Sequence, residues 1–73
     1  MAAQIVMDHN GDTRHYFNTE DVKALLTAET RFKKLTAAGF TAATRDGAGK
    51  ATVTRVFNPT AEETLFIPRL VGG

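Results

Sequence analysis

"TLFIPRLVGG" occupies residues 64–73, and its reading decides the fold. Leu65-Phe66-Ile67 is apolar on both sides of a pleat, the pattern of a central strand covered on both faces. Pro68 has no N–H to give a sheet ladder, so the chain should begin to leave the sheet there. The predicted strand covers residues 64–70. Gly72 and Gly73 follow it. They read either as an end that frays, glycine being flexible, or as a tail that presents the carboxylate of Gly73 to an enzyme.

A central last strand needs partners on both sides, and the upstream sequence supplies them. Residues 3–17 predict a β-hairpin: "AQIVMDH" and "TRHYF" flank Asn10-Gly11, a dipeptide in which both positions tolerate positive φ. Neither arm alternates cleanly between apolar and polar. Residues 19–38 predict a helix capped by Asn18, with Glu20 and Asp21 in its first turn where the dipole favours negative charge. Val22, Leu25, Leu26, Phe32 and Leu35, with Ala28 between them, recur at helical spacing and predict the buried stripe. Gly39 suits the C-terminal cap. Residues 40–57 predict a second hairpin around "DGAGK", and "NPTAEE" at 58–63 a turn. The order is β-β-α-β-β-β. The predicted class is α+β, a single domain over residues 1–73 with one helix on a mixed sheet of four to five strands, and residues 71–73 as a flexible tail.

Seventy-three residues bury only about 60% of the unfolded surface, which leaves little room for a deep catalytic pocket. The chain has no cysteine, and hence no disulfide, thiolate metal site or cysteine nucleophile. Nine Lys/Arg against eight Asp/Glu give a net charge of +1, too balanced to suggest nucleic acid. No apolar run approaches the roughly 20 residues that span a bilayer, and "MAAQIVM" lacks the character of a signal peptide. The expectation is a soluble, cytoplasmic protein without catalytic residues or cofactor of its own.

Local patterns suggestive of chemistry do not complete themselves. "GAGK" at 47–50 lacks the first glycine, the following Ser/Thr and the helix of a phosphate loop. Asp8, Asn10 and Asp12 have the start of a calcium-loop spacing, but Thr13 and Thr19 stand where Gly and Glu are required. His9 and His15 would need a third and usually a fourth ligand for a zinc site, with Asp8 or Asp12 contributing, and nothing in the sequence forces them together. Glu62-Glu63 reads as a solvated turn. Lys23, Arg31, Lys33 and Lys34, with Arg45, Lys50 and Arg55, form either a phosphate-binding patch or an ordinary charged face interleaved with Glu20, Asp21 and Glu29.

With hairpin, helix and final strand in this order, the sequence resembles the ubiquitin-like β-grasp proteins, in particular sulfur carriers of the ThiS and MoaD type. "AEETLFIPRLVGG" at 61–73 has their acidic turn, apolar strand, proline exit and Gly-Gly, and "RLVGG" resembles the end of ubiquitin. The resemblance implies that an E1-like activating enzyme uses ATP to adenylate the Gly73 carboxylate. Transfer to a nucleophile then gives a thiocarboxylate for sulfur transfer, or an amide in a protein modifier. It implies that Gly72 and Gly73 thread a narrow channel, that Leu70 and Val71 grip its entrance, and that Phe66 and Ile67 belong to a docking patch. Two other readings stand beside it. One is a non-covalent protein-interaction module, an accessory protein of a larger assembly or mobile element, that does not use the glycines. The other is a weak nucleic-acid binder working through the basic helix face.

Overall fold

The computed structural model describes residues 1–68. The elements run β1 (Ala2–Asp8), β2 (Gly11–Phe17), α1 (Val22–Ala37), β3 (Thr41–Arg45), β4 (Ala51–Thr54) and β5 (Glu63–Ile67). The architecture is α+β: one helix on a five-stranded mixed sheet of order β2-β1-β5-β3-β4. β5 is central, parallel to β1 and antiparallel to β3. It ends at Ile67, the residue before Pro68, rather than at 70. The remainder of the predicted strand and the predicted tail, including Leu70, Val71, Gly72 and Gly73, lie outside the described residues.

β1 is the other inner strand of this half of the sheet, and that explains its run without alternation. Ala2 to Ile5 are all buried, odd and even positions alike: Gln4 lies under the helix, and Ala3 and Ile5 pack with Leu65 and Met7 on the other face. The β1–β2 turn differs from the Asn-Gly expectation. Asp8 pairs with Gly11, so His9 and Asn10 form the loop. Only Gly11 takes positive φ, at 116°. Asn10 instead donates its N–H to Asp8 Oδ1 at 2.7 Å, an Asx turn that holds the loop without a left-handed asparagine.

The helix starts three residues later than predicted. Asn18 closes a separate turn: its Oδ1 accepts from the Glu20 N–H at 2.9 Å and its carbonyl from the Asp21 N–H at 3.0 Å. Asp21 is the N-cap, accepting from the N–H groups of Lys23 and Ala24. The first turn therefore holds no acidic residue; the negative charge lies in the cap itself. The C-terminus does follow the expectation. Gly39, at φ 103°, donates to the Thr36 carbonyl, and the Phe40 N–H reaches back to the Leu35 carbonyl at 3.0 Å. This is a Schellman motif. Leu35 and Phe40 both pack on the core.

The buried helix stripe is rotated from the predicted one. Ala28 and Phe32 are buried and Leu25 and Leu35 half-buried, whereas Val22 and Leu26 are 69% and 59% exposed. At 100° per residue, the direction of Val22 and Leu26 lies about 120° around the helix from that of Ala28 and Phe32. Beneath the helix, Phe32 packs edge-on against Phe66 (centroids 5.7 Å apart) and Phe57 (5.9 Å). Val6, Leu35, Phe40 and Ala42 complete this cluster. On the opposite face of the sheet Ala3, Ile5 and Leu65 form a second buried cluster with Met7.

Candidate functional site

The predicted site centred on the end of the chain, and its two described members divide sharply. Side chains alternate along β5, so Phe66 points to the helix and Ile67 away from it. Phe66 is fully buried against Phe32 and Ala42. It anchors the strand and presents nothing to a partner, which corrects its place in a docking patch. Ile67 is 41% exposed, opposite Thr41 of β3.

Ile67 belongs to the face of the sheet that carries no helix. The register sets Val53, Ala43, Leu65, Ile5 and Arg14 in one row across all five strands. The neighbouring row is Ala51, Arg45, Glu63, Ala3 and Tyr16. Centre and rim differ. Ile5, Ala43 and Leu65 are buried, while Val53 and Tyr16 are 68% and 63% exposed. Arg45 and Glu63 are cross-strand partners. Arg45 Nε donates to Glu63 Oε1 at 2.7 Å, and that hydrogen bond holds the Glu63 carboxyl below the usual carboxylate range.

The helix side carries a polar cluster that the sequence reading missed. Gln4 lies at the centre of β1 with 0% exposure. Its Nε2 donates to the Ala28 carbonyl at 2.9 Å, and its Oε1 accepts from Arg31 Nη1 at 2.7 Å. The small side chain at Ala28 lets the helix backbone come this close. His15, the cross-strand neighbour of Gln4, faces the same cluster. Burial, and next the Arg31 charge, lower the pKa of His15. Between β2 and α1 lies an open cleft of about 420 Å³ bordered by Arg14, His15, Tyr16, Phe17, Thr27 and Arg31. The only early signal was a glutamine inside an apolar strand, which asks for a buried partner.

The other predicted constellations are dispersed. His9 sits in the exposed hairpin loop and His15 part-way along β2. Among the described residues no three His, Cys, Asp or Glu side chains gather to hold a metal. Of the basic residues, Arg31 is engaged by Gln4 and Arg45 by Glu63 on the opposite face, so the seven do not form one surface. "GAGK" is a hairpin loop organised by Asp46, whose Oδ1 accepts from the N–H groups of Ala48 and Lys50. No described helix is long and apolar enough to cross a membrane. Comparison with protein-family models, curated proteins and solved structures finds no match to this chain.

Proposed function

We propose that the chain is a ubiquitin-like β-grasp carrier or modifier that acts through the carboxylate of Gly73, set free either as the chain end or by cleavage after it. The observation that carries this reading is the sheet order β2-β1-β5-β3-β4 with β5 central and parallel to β1. In that order the described chain ends, at Pro68, on a strand held on both edges, which would give the proposed tail a rigid base. An activating enzyme joins a Gly73 carboxylate oxygen to the α-phosphorus of ATP, and pyrophosphate leaves. A sulfur or amine nucleophile then attacks the acyl carbon and AMP leaves. Glycine at 72 and 73 has no Cβ to meet the walls of a narrow channel, and Leu70 and Val71 contact its entrance. ATP and catalytic groups belong to the partner enzyme.

The test is intact-mass spectrometry of the protein from its own cells. The reading expects a C-terminal thiocarboxylate or an isopeptide-linked species, lost when Gly73 is deleted from a chain that circular dichroism shows to be folded. Unmodified protein under all growth conditions, with no phenotype for the deletion, would refute it.

A second reading has its own observation, the helix-free face with Val53, Tyr16 and Ile67 exposed around a buried apolar centre. A non-covalent interaction module would use that face, and its glycines would be dispensable. Val53→Asp and Ile67→Asp would then abolish partner capture, while deletion of Gly72 and Gly73 would not.

A further inference from the structure

The cleft between β2 and α1 carries positive charge with no acid to answer it. Arg31 is half-buried, and its one hydrogen bond within the described residues goes to the neutral Gln4. The one ion pair among the described residues is Arg45–Glu63, on the other face of the sheet. Charged groups withdrawn from water are normally paired; this guanidinium has no carboxylate partner there. It is nonetheless held in place. The Ala28 carbonyl can only accept, so Gln4 must turn Nε2 to the helix and Oε1 to Arg31. A fully buried side chain thus fixes one N–H of the fork and leaves four donors. Gln4 belongs to a strand hydrogen-bonded on both sides, so the fork is oriented before any ligand arrives.

The cleft is bordered by the edge strand β2, where His15 lies on the helix side and Arg14 and Tyr16 on the other, and by Arg31 from α1; no carboxylate lines it. The Thr27 hydroxyl is spent on the Lys23 carbonyl. The His15 ring has no hydrogen-bond partner among the described residues, and burial first, then the Arg31 charge, oppose its protonation. An anion seated between them would reverse that opposition and draw a proton onto His15.

We propose that this cleft binds a tetrahedral oxyanion, a phosphoryl or sulfuryl group, through the fork of Arg31 fixed by Gln4, with His15 as the flanking donor. This site is independent of the Gly73 reading and stands or falls separately. Such a group spreads its charge over several oxygens and fits the planar, multiply donating guanidinium better than a point charge.

The test is an NMR titration of the isotope-labelled full chain at low ionic strength with sulfate, whose charge is constant between pH 5 and 8. The expected result is saturable shifts at the amides of His15, Tyr16, Thr27 and Arg31, with a Kd of roughly millimolar order. Affinity should rise as the pH is lowered from 8 to 5, and His15→Gln should remove that rise. Arg31→Met should weaken binding about tenfold or more, the usual scale for a lost charge-assisted hydrogen bond. Arg31→Lys, which keeps the charge, should recover only part of it, and Lys33→Met on the outer helix face should change nothing. The same spectra show whether each variant is folded; if Arg31→Met is not, Arg31→Lys and His15→Gln carry the test. Titrations with inorganic phosphate and glycerol 3-phosphate distinguish a free anion from an esterified one. Acetate binding as tightly as sulfate would overturn the proposal. So would unaltered binding in the Arg31 variants, or shifts spread evenly over Lys33, Lys34 and Lys50, which mark an adventitious ion only.

Discussion

Phe32 is the residue on which the two layers meet. Its ring makes edge contacts with Phe57 from the last loop and Phe66 from the central strand. Truncation would leave a cavity between helix and sheet that neither can fill. Phe32→Ala should cost about 3–5 kcal/mol, measured by denaturant unfolding, a large part of the stability of so small a domain. His15 gives a pH signature. Its pKa in the folded chain lies below its ordinary value near 6.5, through burial first and Arg31 second. Between the two values the unfolded chain holds the extra proton. Stability is therefore complete above the unfolded value and falls as pH drops through the folded one. In anion-free buffer, His15→Gln should remove that part of the acid-side decline in melting temperature. Ile67 and Phe66 were equivalent in the sequence as members of an apolar run. One residue of offset in a period of two puts the first at the surface and the second in the core.

The helix shows how elements end and how they rotate. Its C-terminus was legible because Gly39 is the residue type that reaches φ 103° without the cost of a Cβ. Gly39→Ala should lose about 1 kcal/mol, seen as a lower melting temperature. Its N-terminus was misplaced because Asn18 and Asp21 are both good caps, and sequence preference does not rank them. The hydrogen bonds do: Asp21 takes two helix N–H groups, while Asn18 closes the turn before the helix. Asp21→Ala should cost about 1 kcal/mol of stability and Asn18→Ala clearly less, so chemical unfolding of both variants checks the assignment. The rotated stripe has a different cause. Val22 and Leu26 are as apolar as the residues that are buried. What turns the helix is the sheet beneath it, where Gln4 needs a carbonyl and finds it at Ala28.

At the scale of the whole molecule, the parallel β1–β5 ladder joins the first element of the chain to the last. β2 and β4 are the sheet edges, and β4 is the shorter, with three of its four residues exposed. Amide exchange should therefore be slowest in β1 and β5 and fastest among the strands in β4; hydrogen-exchange NMR would show it. Comparable protection in β4 and β5 would contradict the observed strand order.

The presence of two hairpins, one helix and a final two-sided strand was legible from glycine turns, apolar spacing and Pro68, because each depends on residues close in sequence. The two-sided burial of β1 was visible only as a failure to alternate. The Gln4–Arg31–His15 cluster was not legible at all. Its members come from β1, α1 and β2, and only packing the helix on the sheet brings a glutamine, a guanidinium and an imidazole within reach of one another. Local chemistry thus settled where the chain turns and which elements it forms. The tertiary structure decided which of two adjacent apolar residues is core, which side of the helix is buried, and where charge is left without a partner, since each of these depends on what lies across the interface.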